Sequence, residues 1–138
     1  MQQHTQSWLG SKSAALRLFF ACCWLVAIAI AMLTPGTKLP EVDLFDFQDK
    51  VVHLLVFFVQ GYLWSGVGVD KGQASIKNPR ILWNFVLFGI AIGIVLESLQ
   101  QFIPFRSFDM IDMIVNGVGA SLGLLAYLKW PSIKYILE

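Results

Sequence analysis

Four long apolar runs, separated by short polar stretches, divide this chain of 138 residues. They are AALRLFFACCWLVAIAIAML (14–33), VVHLLVFFVQGYLWSGVGV (51–69), ILWNFVLFGIAIGIVLESLQQFI (81–103) and MIDMIVNGVGASLGLLAYLKW (110–130). A bilayer core of ~30 Å takes about twenty helical residues to cross. Each run has that length or nearly so, and the first, third and fourth end at Thr34-Pro35-Gly36, Pro104 and Pro131. Lipid leaves helices as the only open architecture, because an unpaired sheet edge has no hydrogen-bond partner there. The pattern predicts an all-α membrane protein, a four-transmembrane-helix bundle forming a single integral membrane domain over 1–138. Lys12 and Arg17 would supply a positive n-region, and Ala29-Ile30-Ala31 resembles a cleavage site. The run is nonetheless long for a signal peptide, and we read it as an uncleaved anchor.

Composition agrees with this division. Hydrophobic residues make up 57% of the chain and charged ones 14%, more apolar surface than a soluble domain of this size can hide. A net charge of +1 says nothing about nucleic acid, but no basic patch is interleaved with aromatics as a nucleic-acid site needs, so nucleic acid is not an expected partner. Cys22 and Cys23 are adjacent within an apolar run and read as small apolar side chains.

Loop charge predicts orientation. Lys12 and Arg17, then Lys71, Lys77 and Arg80, then Lys129 and Lys134 fall on one side of a four-span protein. The other side sets Lys38, Lys50 and Arg106 against Glu41, Asp43, Asp46, Asp49 and Asp109. Both termini are therefore expected in the cytoplasm. In the first outer loop, Leu39, Val42, Leu44, Phe45 and Phe47 alternate with acidic residues, as a short interfacial segment would. Trp8, Trp64, Trp83 and Trp130 are expected at the cytoplasmic boundary.

That topology brings the polar residues of three spans to one depth. His53 lies at the outer start of span two, with Asp49 four residues earlier. Glu97, Gln100 and Gln101 share a face at the outer end of span three; Asp109, Asp112 and Asn116 share one at the outer start of span four. Arg106 lies in the connecting turn and is expected to pair with a carboxylate. Charges inside a bilayer cost ~2.5–3.5 kcal/mol each on insertion scales and mark functional sites by default. Asp109 has a second reading, as the N-cap of span four. Gln60 and Asn84, alone in apolar runs, read as ties between helices, and the pairs Gly119/Gly123 and Gly89/Gly93 as close-packing seams between spans three and four.

The same residues carry a family resemblance. Asp49-Lys50-x-x-His53 with Phe57 and Phe58, then Glu97-x-x-Gln100, Pro104-x-Arg106, Asp112-x-x-x-Asn116 and Gly119, resemble the motifs of the VanZ-like membrane protein family. Gln60 stands where the family has leucine. The resemblance implies a small, multi-pass protein of the bacterial inner membrane, with low-level teicoplanin resistance as the theme of the family's namesake.

Two classes of function follow. In one, Asp49, Lys50, Gln100, Arg106, Asp109 and Asn116 bind the headgroup of an envelope lipid or a lipid-linked cell-wall precursor. In the other, His53 with Glu97 and Asp112 forms the acid/base apparatus of an intramembrane hydrolase or transferase. One histidine among carboxylates is a weak metal signal, so neither a metal nor another cofactor is expected. Membrane lipids are the expected partners, with self-association through Gly66, Gly68 or the Gly89/Gly93 face.

Overall fold

The computed structural model describes residues 12–40, 44–70 and 72–130. Trp8, Glu41, Val42, Asp43, Lys71 and Lys134, invoked above, lie outside them. The described residues form four long helices: α1 (Lys12–Leu33), α2 (Gln48–Ser65), α3 (Pro79–Gln100) and α4 (Met110–Lys129). No strand occurs among the described residues. By length and composition α1, α3 and α4 are able to cross a membrane. In α2 the polar residues Gln48, Asp49, Lys50, His53 and Gln60 dilute the apolar run.

Helix boundaries follow local chemistry. Asn78 caps α3 through its side chain, which accepts from Arg80 N–H at 3.0 Å, and Pro79 follows at the position where a missing N–H costs nothing. Asp109 caps α4, its Oδ1 accepting from Ile111 N–H at 2.8 Å. α3 stops at Gln100, short of the expected Ile103, because Pro104 forces the chain into turns. α2 runs from Gln48 to Ser65 rather than from Val51 to Val69. Its polar first turn is held by partners on α4, and Gly68 at φ 67° ends the helical course.

Burial is inverted relative to a water-soluble fold. Phe19, Val26, Ile30, Trp83, Ile114 and Leu125 are exposed, whereas Gln60, Ser65, Glu97, Gln100, Asp112 and Asn116 are buried. Apolar groups outside and polar groups paired inside is the arrangement lipid imposes.

The tightest seam joins α2 to α4. A methyl at Gly61 would overlap the Ala120 carbonyl, one at Gly119 the Leu54 carbonyl, and one at Gly123 the Phe58 carbonyl. Gly119 and Gly123 thus admit the backbone of α2, not that of α3 as expected from sequence. Gly89 and Gly93 do meet α4, at the Cβ atoms of Ala120 and Asn116. Those two glycines face inward, Gly66 abuts the Arg17 guanidinium and Gly68 lies near Arg80, so all four are engaged within the chain. Cys22 and Cys23 are exposed free thiols on α1.

Two isolated carboxamides tie helices together as expected. Within α3, Phe85–Ala91 is wound as a π-helix, whose carbonyls bond five residues on, as Leu87 O does to Ile92 N–H. Gln60 Nε2 donates to one of these, Phe88 O, at 3.0 Å, and Asn84 Nδ2 donates to Val67 O at 2.8 Å. Trp64 stacks on Phe88 with ring centroids 3.7 Å apart and is buried, so it is a packing residue rather than a boundary anchor. Trp83 and Trp130 are exposed.

Two arginines act alike at opposite ends. Arg17, read above as a loop charge, is buried; it donates to Tyr62 O and Leu63 O in the last turn of α2 and lies over the Tyr62 and Tyr127 rings. Arg106 donates to Ala31 O at 3.1 Å and Thr34 O at 3.3 Å at the end of α1. Each places a cation on the negative end of a neighbouring helix dipole.

Candidate functional site

α2 and α4 run parallel, with Lys50 beside Asp112, His53 beside Asn116 and Tyr62 beside Tyr127; α3 and α4 form a hairpin, and the C-terminal ends of α1 and α3 lie together. Gln100 Nε2 donates to Met32 O at 3.1 Å, and Gly36 N–H to Pro104 O at 3.2 Å. The first turns of α2 and α4 and the last turns of α1 and α3 therefore meet at one end of the molecule. There the polar residues expected from sequence converge.

Lys50 is the hub. Its Nζ donates to Asp112 Oδ1 at 2.6 Å, Asp109 Oδ2 at 2.9 Å and Asp49 Oδ2 at 3.0 Å. The expectation that Arg106 neutralises a carboxylate is corrected: it donates to the α1 carbonyls of Ala31 and Thr34, and Lys50 is the counterion. A lysine three residues before a histidine gives no sign from sequence of serving three carboxylates on two helices. The Asp109 carboxyl, outside the membrane-spanning segments, is held below the usual carboxylate range by Lys50 first and by the Ile111 N–H next. It is both the cap and an ion-pair member, so its two readings coincide.

Deeper in, His53 Nδ1 lies 2.8 Å from Asn116 Oδ1. An amide oxygen only accepts, so Nδ1 donates this bond, and in the neutral ring Nε2 presents a lone pair. That Nε2 faces Asp112 Oδ2 at 3.9 Å, too far for a hydrogen bond. Glu97 is wholly buried; Oε1 accepts from Asp109 N–H at 3.2 Å, and Oε2 has no partner. One donor atom each from His53, Glu97 and Asp112 lies within 4.8 Å of the others. Gln100 joins the cluster's edge through α1, whereas Gln101 is exposed and bonds locally to Ser98 O.

Beside the cluster, between α1 and α2, lies a groove of about 680 Å³. Its walls are apolar (Trp24, Ala27, Ile28, Val52, Val56), and His53, Asp49, Gln100 and Arg106 line its polar part. A second apolar recess, bounded by Phe20, Cys23 and Leu63, shares Trp24 and Ala27 and continues it along α1. Neither recess was legible in the sequence, because no periodicity reports how far α1 stands from α2.

Apolar helices outside and a buried polar cluster at one end define a helical membrane protein. The chain belongs to the VanZ/LLP1 family, whose model matches residues 18–134, most of its length. Over 78 residues, 56% of this chain and 45% of the relative, it is 33% identical to the uncharacterized protein C11E3.10 of the fission yeast Schizosaccharomyces pombe. The matched stretch is thus under half of that relative's own length. No solved structure matches the chain.

Proposed function

We propose that the protein binds a membrane lipid from the side, with the chain in the α1–α2 groove and the headgroup at the polar cluster. The groove itself carries this reading: an apolar wall long enough to span two recesses ends at His53, Asp49, Gln100 and Arg106, matching a molecule with an acyl tail and a polar head. Arg106 suits a phosphate and Asp49 an amine or hydroxyl, so a phospholipid or a lipid-linked cell-wall precursor fits the chemistry. The link to teicoplanin and the bacterial inner membrane come from family kinship. Four crossings with both termini cytoplasmic are part of the reading. α1 and α3 point the same way, and a chain crossing in both must return between them, which supports α2 as the fourth span.

Native mass spectrometry of the detergent-purified protein tests this. Ala27→Trp fills the groove without touching the cluster and is expected to remove co-purified lipid, and Arg106→Ala to reduce it. Ile114→Trp, on the exposed face of α4, should leave it unchanged. Full lipid retention by Ala27→Trp would refute the reading. A second reading, an intramembrane hydrolase or transferase, is favoured by His53 Nε2 facing Asp112 at 3.9 Å beside Glu97. It predicts that Glu97→Gln abolishes turnover of a supplied lipid-linked substrate.

A further inference from the structure

We infer that His53 Nε2, Asp112 Oδ2 and Glu97 Oε2 form a binding site for one divalent first-row transition ion, such as Mn²⁺ or Zn²⁺. Three independent features of the cluster lead there. The first is orientation. The hydrogen bond from Nδ1 to Asn116 Oδ1 at 2.8 Å fixes the tautomer and aims the Nε2 lone pair at the carboxylates. Histidines that ligate metals are held in this way by an outer partner.

The second is spacing. Nε2 and Asp112 Oδ2 face each other at 3.9 Å without a hydrogen bond. Two ligands each ~2.1 Å from one ion stand at most about 4.2 Å apart. The donor set of all three residues, within 4.8 Å, closes to the ~3.4 Å separation of tetrahedral ligands with side-chain movements of under about an ångström each, on the same bond lengths.

The third is charge. Glu97 is 0% exposed, yet Oε2 has no donor. Lys50 serves Asp112 through Oδ1 and has no bond to Glu97. A buried carboxylate in lipid is costly unless paired; Lys50 already serves Asp112, and a cation at this point would pair the Glu97 carboxylate and the second Asp112 oxygen. One nitrogen and two oxygens select against Mg²⁺ and Ca²⁺, which take oxygen ligands, and favour the ions that accept imidazole. His53 also lines the groove, so the remaining coordination positions open toward it. A headgroup phosphate or carbonyl would complete them, and only this last step rests on the lipid reading.

The test is titration of the chelator-stripped, detergent-purified full chain with Mn²⁺ and with Zn²⁺, lipid omitted. One saturable equivalent is expected. Affinity should fall at least tenfold in His53→Ala and in Glu97→Gln, and about 10–100-fold in Asn116→Ala, the usual cost of losing an outer partner. His4→Ala, the control for the other histidine, should bind as the wild type does. Absence of a saturable site, or wild-type affinity in both His53→Ala and Glu97→Gln, would overturn the proposal. A pulsed electron-spin resonance measurement on the Mn²⁺-loaded wild type needs no variant to fold. Coupling to one imidazole nitrogen is expected, and its absence would likewise overturn the site. Ala27→Trp keeps all three ligands and should bind metal normally, so loss of lipid and loss of metal report separately.

Discussion

The ammonium of Lys50 bonds three carboxylates at 2.6–3.0 Å, one each from Asp112, Asp109 and Asp49. These contacts differ in weight. Asp49 is 59% exposed, and a pair so wet contributes little. Asp112 is 12% exposed, and stripping its counterion leaves a charge with poor solvation. Lys50→Met should therefore destabilise the protein by about 2–3 kcal/mol, below the ~3–5 kcal/mol of a fully buried pair because Lys50 keeps one-fifth of its side chain in contact with solvent. The pH dependence has a defined sign. The folded-state pKa of Asp109 is depressed, so its contribution is complete above the unfolded value of ~3.9 and is lost as pH falls through the folded one. Melting temperature in detergent should hold steady from neutral pH to about 5 and drop below about 4. Lys50→Met should flatten that acid drop, since Lys50 is the larger cause of the shift. An unaltered acid limb in the variant would contradict this assignment.

At the scale of elements, the α2–α4 seam depends on glycines whose missing Cβ lets one backbone touch another. Gly61, Gly119 and Gly123 each face a carbonyl of the opposing helix, and backbone cannot rotate away as a side chain can. Gly117, two residues before Gly119, has only Ile90 Cδ1 at 3.9 Å. Gly123→Ala should therefore lower the melting temperature sharply. Gly117→Ala should leave it unchanged or raise it, since alanine gains up to ~1 kcal/mol over glycine within a helix. Equal effects of the two would remove the basis for a tight α2–α4 contact. The turn joining α3 to α4 shows a related constraint. Phe105 takes φ 59°, a conformation costing of order 1–2 kcal/mol for a residue with a Cβ. The Gly36–Pro104 bond on one side and the contacts of Arg106 with α1 on the other hold it there.

On the scale of the whole molecule, the shared end of α1 and α3 determines how the chain is threaded. With α2 as a fourth crossing, Gln73 lies on the cytoplasmic side and Ser107 on the outer side. Were α2 not to cross, the two would exchange sides. In a protein with Cys22 and Cys23 replaced by Ala, a membrane-impermeant maleimide applied to intact cells should label Ser107→Cys and spare Gln73→Cys until the cells are opened. The reverse pattern would refute the N-in, C-in topology. The exposed Leu44, Phe45, Phe47, Phe102 and Phe105 lie in the two connections at this same end. There they suit the headgroup region, with the polar cluster immediately beneath them.

The sequence by itself determined the helical, membrane-embedded class, because twenty-residue apolar runs have no other stable form in lipid. It also grouped part of the cluster: helical spacing puts Glu97 and Gln100, or Asp112 and Asn116, on one face whatever the tertiary arrangement, though Gln101 turns outward. Family kinship was legible for the same reason, in polar residues at fixed intervals. Tertiary structure decided the pairings. Whether Lys50 or Arg106 neutralises the aspartates depends on which helix end comes within reach, and Arg106 is drawn to the open carbonyls of α1 instead. The partner of Gly119 and Gly123 depends on helix rotation, which periodicity leaves free. The groove and the unpartnered oxygen of Glu97 are spaces between elements, and such spaces are set by how helices pack against one another, not by any one helix's residues.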